Sequence, residues 1–593
     1  MPVTSTGELR RRAAARGVAV AYRDWQDHEV QVPSETLSAI LEALGDPPGP
    51  AGQHPVQTSQ APFPPRRAWG FMTQLYSVRS RASWGHGDFG DLADLATWSA
   101  RDLGADFVLV NPLHAAEPLP PVSTSPYLPM SRRYLSPLYL RIEDIPEYAR
   151  LTAADRARVD ALGAPLRAAS HTAALIDRDA VWTAKRAALD ILATVPLASD
   201  RERAFAAFRD REGHALEDWA TWCAIAEIDG PDWRTWPASP ASPPRERVAF
   251  HAWIQWLAAA QADAAQRAAT EAGMAIGVVA DLAVGAHPGG ADAWAHRDVV
   301  VPAMSVGAPP DEFNQRGQDW TLPPWHPERL AAQRGRPVAE LIEATTRHAG
   351  GLRVDHVLGL SRQWWIPAGM PPDHGAYVRY DHELLGGVLA AVAARANSVA
   401  IGEDLGTVEP WLPAFLAKRH VLGTSMLWFE RADDGTPRPP GSWRRGCLAT
   451  VGTHDMPPAA AFLTGEQVRL RAELGLLTRA EDEERRAAAA DLSLFLAALH
   501  REGLLPGGAT PRAAEFTTAL YGYLARTPAV LIGVSLAEAA GERRPQNMPG
   551  TTDEYPNWRV PLTDGEGDPL LLEDLPGHAG IRSVTCTIQR TLG

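Results

Sequence analysis

The 593-residue chain has three cysteines, Cys223, Cys447 and Cys586, far apart and with no CxxC pair. That excludes a disulfide framework and gives no zinc-ligand spacing, and it fits a reducing cytoplasm. Lysine is nearly absent: Lys185 and Lys418 are the two, so arginine carries the positive charge. A GC-rich coding sequence favours Arg, Ala, Gly and Pro together, so Arg10–Arg12 and Arg543-Arg544 are not read as nucleic-acid patches. The 57 Lys+Arg against 71 Asp+Glu leave a formal charge of −14, which argues against a polyanionic partner. No run of ~18 apolar residues exists, so no membrane-crossing helix is expected. Met1–Val20 lacks a long apolar core, so no secretory signal is expected and a cytoplasmic location is.

What is present is ordinary folded-protein usage, 45% apolar and 22% charged. At ~100–200 residues per domain the length allows several domains, or one barrel with insertions. Tryptophan is the unusual component, 20 residues against 13 Phe and 11 Tyr. An indole can stack on the apolar face of a pyranose, but core packing accounts for more than half of them.

Residues 1–60 read as a short N-terminal helical segment followed by a Pro/Gly-rich linker. Pro33-Ser34-Glu35-Thr36 opens the apolar-periodic run Leu37, Ile40, Leu41, Leu44, closed by Gly45. Residues 61–593 read as the catalytic unit. Eight short apolar runs predict buried strands: Trp69–Leu75, Asp106–Asn111, Ile276–Asp281, Leu352–Val357, Ser398–Glu403, Gly423–Phe429, Cys447–Thr453 and Pro528–Val534. Helix-like stretches follow most of them, including Asp91–Asp102, His382–Ala394 and Val408–Lys418. Strand–helix alternation of this kind predicts a parallel α/β sheet, and eight units predict a (β/α)8 TIM barrel. Two spacings exceed one crossover. The stretches at about 115–270, between strands 2 and 3, and about 460–525, between strands 7 and 8, are read as helical insertions. Ala174–Ala193, Ala204–Ile228 and Thr478–Arg501 are examples of their helical period.

Three strand ends carry carboxylates. In Gly351-Leu352-Arg353-Val354-Asp355-His356 the two-residue strand period puts Arg353 and Asp355 on one face. The arginine is expected to keep Asp355 ionised and to lower its pKa; a structural ion pair is an equally good reading of the tripeptide alone. In Ile401-Gly402-Glu403-Asp404 an apolar strand delivers Glu403 to its C-terminal end, where apolar walls raise a carboxyl toward general-acid duty. Asp404 fits a helix-capping acid better. Val451-Gly452-Thr453-His454-Asp455 places a third carboxylate beside a histidine. With no H-x-H or HExxH partner, His454 is read as a neutral hydrogen-bond donor and not a metal ligand. Together the three suit retaining glycosyl transfer: an ionised carboxylate attacks the anomeric carbon, a protonated one serves the leaving oxygen, and a third grips ring hydroxyls.

At this point the sequence resembles the 4-α-glucanotransferases (amylomaltases, or disproportionating enzymes, of glycoside hydrolase family 77 in the α-amylase clan), and among them the longer bacterial branch. The matching segments begin with Gln74-Leu75-Tyr76-Ser77, Trp84–Phe89, Asn111-Pro112-Leu113-His114, Ser125-Pro126-Tyr127 and Ser131-Arg132-Arg133. Further on come Asp281–Gly285, Gly289–Asp292, Gly307–Asp311, Gly317–Trp320, the three catalytic segments and Gln546–Arg559. The match is collinear from about Trp69 to Pro561.

The resemblance implies a (β/α)8 barrel in which Asp355 is the nucleophile, Glu403 the acid/base and Asp455 the transition-state stabiliser. It places Arg353 and His454 around the cleavage subsite. Tyr127, Asp281, Asp311, Gln318, Trp320, Asn547 and Gly550 join them as substrate-binding residues. The implied partners are α-1,4-glucans (maltooligosaccharides, starch or glycogen), with glucose as acceptor. No cofactor or metal is implied. Two other readings use the same barrel: an α-glucan hydrolase of the clan, and a non-catalytic glucan-binding barrel. Two features depart from the pattern. The region ahead of the barrel is short, and His287-Pro288 interrupts the matching Asp281–Trp294 loop.

Overall fold

The computed structural model describes residues 6–24, 28–46, 59–311, 316–507 and 510–592. Eight strands occupy the eight apolar runs: β1 (Ala68–Thr73), β2 (Phe107–Val110), β3 (Gly277–Leu282), β4 (Gly351–Val354), β5 (Val399–Gly402), β6 (Gly423–Met426), β7 (Cys447–Thr450) and β8 (Leu531–Ser535). Nearly all of their residues are buried on both faces, which is why most read as short apolar runs and not as an alternation; β6, Gly423-Thr424-Ser425-Met426, is buried but small and polar. Neighbours pair in parallel in the order β5-β4-β3-β2-β1-β8-β7-β6. The ring closes between β5 and the residue before β6. Leu422 N–H donates to Ala400 O at 2.9 Å, and Gly402 N–H donates to Leu422 O at 2.7 Å. Gly70 lets β1 and β2 lie close, since a Cβ there would sit 2.1 Å from Phe107 O.

Helices follow most of the strands; only two short 3-10 turns, Leu427–Phe429 and Pro440–Ser442, lie between β6 and β7. Phe89–Leu103 starts at a reciprocal cap, Asp88 accepting the Asp91 N–H while Asp91 accepts the Asp88 N–H, and stops at left-handed Gly104. His382–Ala396 follows β4 and Leu412–Lys418 follows β5. Five helices lie between β2 and β3, from Ala153–Ser170 to the 27-residue Arg245–Glu271, which packs along Phe89–Leu103. The stretch 204–228 is not one helix. Gly213, at φ 59°, breaks it into Ser199–Glu212 and His214–Asp229. Four more helices, Ala459–Thr464, Glu466–Glu473, Glu481–Arg501 and Ala513–Ala525, lie between β7 and β8.

A second sheet, not foreseen from the sequence, is built from the segments after β3 and β4. Its antiparallel strands run in the order Ala376–Arg379, Arg362–Pro367, Met304–Ala308, Gln318–Leu322. The N-terminal residues dock on it. Besides the expected helix Ser34–Leu44 they form a helix Thr6–Ala15 and a hairpin, Ala21–Arg23 with Glu29–Gln31. Ala19 N–H donates to Tyr377 O at 2.8 Å, and Leu37, Ile40 and Leu44 enter one core with Trp365, Val378 and Leu389. Residues 47–58 of the expected linker lie outside the described residues. The His287-Pro288 interruption is a docking point: Trp233 Nε1–H donates to Pro288 O at 3.2 Å and His287 N–H to Pro129 O at 2.8 Å. No described helix is long and apolar enough to cross a membrane.

Candidate active site

Register alone brings the first charges together. Arg353 on β4 stands opposite Asp281 on β3 and Ile401 on β5. Its buried guanidinium donates from Nη1 to both Asp281 oxygens at 2.7 Å, and Nη2 lies 3.0 Å from Asp355 Oδ1. The chain then leaves the strand. Asp355 N–H donates to Leu282 O at 3.0 Å, and His356 takes the left-handed conformation, φ 45°. That turn aims the His356 N–H at Glu403 Oε2, 3.1 Å away, while Leu405 N–H donates to Oε1 at 2.7 Å. Glu403 N–H to Val354 O and Val357 N–H to Glu403 O stitch the two loops, at 3.0 and 2.9 Å. Asp355 and Glu403 therefore emerge side by side at the C-terminal end of adjacent strands.

Their electrostatics differ from the simplest expectation for Asp355. Burial raises its pKa, and Arg353, whose charge is shared with Asp281, recovers only part of that shift. Burial likewise pushes Glu403 up to about 7. Arg353 pulls it down at longer range, Asp355 pushes it further up, and the two amides pull it down. Only Asp355 holds a cation in direct contact, so it is the first of the two to ionise and Glu403 the one that keeps a proton near neutrality.

The third carboxylate comes from the loop after β7. Asp455 Oδ1 accepts from Asn547 Nδ2 at 2.7 Å and Oδ2 lies 3.4 Å from His454 Nε2. Its side chain is 47% exposed, facing the open groove although deep in the barrel mouth. Burial raises its pKa, but His454 and the Asn547 bond outweigh this and hold it at about 2. For His454, expected as a neutral donor, the surroundings favour the protonated form. Burial lowers its pKa, yet Asp455 more than reverses this, and the other ring nitrogen, Nδ1, faces Tyr127 Oη at 3.2 Å. Tyr127 Oη donates to Asp281 Oδ2 at 2.8 Å, so its oxygen is free to accept from Nδ1–H. Asp455, His454, Tyr127, Asp281, Arg353 and Asp355 thus form one continuous polar chain across the mouth.

The remaining expected residues lie around this chain. Trp320 meets the His356 ring edge-on at 5.3 Å, and its Nε1–H donates to Gln318 Oε1 at 3.2 Å. Both belong to the second sheet, and Asp311 ends the described part of the segment leading to them. Gly550 sits at φ 87° in the turn closed by Thr551 N–H to Met548 O, three residues after the Asn547 that donates to Asp455. Asp404 caps no helix. It is buried and pairs with Arg444, Oδ2 to Nη1 at 2.6 Å, and accepts the Thr424 N–H. Sequence reasoning did not single out Trp558, whose ring lies 5.3 Å from both Tyr127 and His454 at a left-handed turn of the loop after β8. Among the described residues no three His, Cys, Asp or Glu converge as a metal-ligand set.

A closed eight-stranded barrel with its polar cluster at the C-terminal strand ends is the architecture of barrel enzymes. A family model described as 4-alpha-glucanotransferase, glycoside hydrolase family 77, matches residues 73–565. The chain belongs to this 4-alpha-glucanotransferase (amylomaltase) family, a class of transferase enzymes. It is 54% identical to the 4-alpha-glucanotransferase of Mycobacterium tuberculosis over 531 residues, 86% of this chain and 73% of that protein. Identity to the Haemophilus influenzae 4-alpha-glucanotransferase is 34% over 531 residues, 83% of this chain and 75% of that one. The crystal structure of amylomaltase from Corynebacterium glutamicum superposes with a TM-score of 0.91 at 37% identity, covering 98% of this chain and 99% of that one. The amylomaltase from Streptococcus agalactiae in complex with acarbose shares the fold, with a TM-score of 0.69 at 17% identity over 89% of this chain and 99% of that one.

Proposed function

We propose that the chain transfers α-1,4-glucan segments between maltooligosaccharides, with glucose among its acceptors, by a retaining double displacement. The observation that carries this is the ordering of two neighbouring carboxyls, Asp355 held by Arg353 and Glu403 raised to about 7 by burial. A displacement of this kind needs one charged and one protonated group at the same bond.

In the first step an Asp355 oxygen attacks the anomeric carbon. The bond from that carbon to the leaving sugar's O4 breaks, and Glu403 gives its proton to O4. This leaves a glucosyl–Asp355 ester and an ionised Glu403. In the second step Glu403 takes the proton of an acceptor's 4-hydroxyl, whose oxygen attacks the same carbon and releases Asp355. Asp455, ionised and open to the groove, binds ring hydroxyls most strongly as the ring flattens. Tyr127, Trp558, Trp320, Gln318, Asp311, Asn547 and the Gly550 turn wall the groove so that a bound sugar meets the ester ahead of water.

Residues 61–593 form the catalytic unit in this reading, with 1–60 as its N-terminal segment. A cytoplasmic location goes with it, supported by the unpaired Cys223, Cys447 and Cys586. Maltotriose separates transfer from hydrolysis. The expected result is glucose plus a ladder of longer maltooligosaccharides at a constant total of reducing ends. A steady rise in reducing ends would make the chain a hydrolase.

A further inference from the structure

Beneath the loop that carries His454 and Asp455 lies a carboxylate with no cation. Glu538, on the short helix Leu536–Ala540 after β8, is 6% exposed, and no ion pair reaches it among the described residues. Its Oε1 accepts the Ala459 N–H at 3.1 Å and its Oε2 accepts the Tyr521 Oη–H at 2.5 Å. Tyr521 is itself fully buried, and its oxygen accepts the Ser535 N–H at 2.9 Å. A Cβ built on Gly452 would be 3.7 Å from Glu538 Oε1. One carboxylate therefore bonds one foot of the loop between Gly452 and Ala459 and lies close beside the other.

The span between those feet is short and stiff. Met456 N–H closes a turn onto Thr453 O at 3.1 Å, and Pro457-Pro458 lead directly to Ala459. A displacement of Ala459 is passed through the two prolines to Asp455. Burying an ionisable carboxyl without a cation is costly, and a neutral side chain of the same shape would serve stability better. The reason for the group lies in what it holds.

We propose that Glu538 is a positioning residue for the transfer reaction, a buried clamp whose hydrogen bonds to Ala459 and Tyr521 fix the loop that presents His454 and Asp455 to the sugar. It rests on the reading of Asp455 as the transition-state stabiliser. Charge-assisted bonds hold the clamp most firmly when the carboxyl is ionised. Tyr521 is the titratable side chain that faces it, from the helix Ala513–Ala525. Ala459 faces it with its backbone N–H, Gly452 lies near it without a side chain, and its own helix adds the Ser535 hydroxyl, at its amide. Burial raises its pKa to about 7 against the pull of Tyr521 and Ala459. Because the folded value lies above the unfolded one, ionisation is a stability cost. That cost is absent at low pH, grows as pH climbs from about 4.5 to about 7, and is complete above.

The test is Glu538→Gln, with kcat and KM on maltotriose and Tm at pH 5 and pH 8. The clamp predicts a kcat about tenfold lower with KM within about twofold, since sub-ångström misplacement acts on the transition state. It also predicts that Tm relative to the parent shifts in the variant's favour between pH 5 and pH 8. Tyr521→Phe, which keeps the carboxylate and the Ala459 bond, should lower kcat by about threefold. Parent-like kcat in both variants, or a kcat loss matched by a lower Tm at pH 8, overturns the proposal. An active Asp455→Asn would instead remove the reading beneath it. Inactive Asp455→Asn beside parent-like Glu538→Gln would sink the clamp alone.

Discussion

The imidazole of His454 stacks on the phenol ring of Tyr127, with centroids 4.7 Å apart, planes 27° apart and a 3.2 Å hydrogen bond from Nδ1 to Oη. Since Nε2 faces Asp455, each ring nitrogen has an acceptor and the imidazole is held as a two-way donor. The phenol is what makes this possible, because its own proton goes to Asp281.

Tyr127→Phe keeps the ring stack but removes that hydroxyl. One hydrogen bond to a charged group is worth about 1.5–3 kcal/mol. Steady-state kinetics on maltotriose should therefore show kcat/KM lower by about 10- to 100-fold, with the Tm little changed. A variant at the parent rate would mean that His454 does not depend on this contact.

Arg353 divides its guanidinium between two carboxylates, which a point-charge ammonium cannot reproduce. Arg353→Lys is expected to fold and to lose most activity. Arg353→Ala strands buried Asp281 and should also cost about 3–5 kcal/mol of stability, readable by denaturant unfolding. Equal stability of the alanine variant and the parent would contradict the pairing.

As the proposed acid, Glu403 is expected to set the alkaline limb of the pH profile. In that role it first gives up a proton, so kcat/KM should fall as pH rises through about 7 and the proton is lost. Protonation of Asp355, whose pKa burial also raises, should set the acidic limb. Removing the acid in Glu403→Gln should take the alkaline limb away along with most of the rate. A profile flat between pH 6 and pH 9 would exclude Glu403 as the acid.

The barrel was legible because strands buried on both faces are mostly apolar, and β1–β8 each overlap such a run. The second sheet was not. Gln318–Leu322 alternates exposed and shielded residues over five positions, and Met304–Ala308 contains Gly307, where a Cβ would fall 1.9 Å from Gln318 O. Both look like loop when read alone. Tryptophan abundance mainly reflects packing, since Trp84, Trp182, Trp222, Trp364 and Trp365 are fully buried.

In the site, the three carboxylates stood out because each ends an apolar run. The Arg353–Asp281 pair did not, because it depends on the register of β3 against β4 across 72 residues. For the same reason the sequence could show Arg353 beside Asp355 but not the burial that outweighs it. Trp558 and Glu538 carry no local signature. Their significance comes from loops that meet only in the folded chain.

In the proposed reaction Asp355 bonds covalently to the sugar, and that bond can be trapped. A 5-fluoro-α-glucosyl fluoride supplies its own leaving group and slows release of the ester, so peptide mass spectrometry of the treated enzyme can locate the adduct. One glycosyl mass is expected on the peptide that contains Asp355, and none in Asp355→Asn. An adduct on another carboxylate, or no adduct while the enzyme still converts maltotriose, would contradict that reaction.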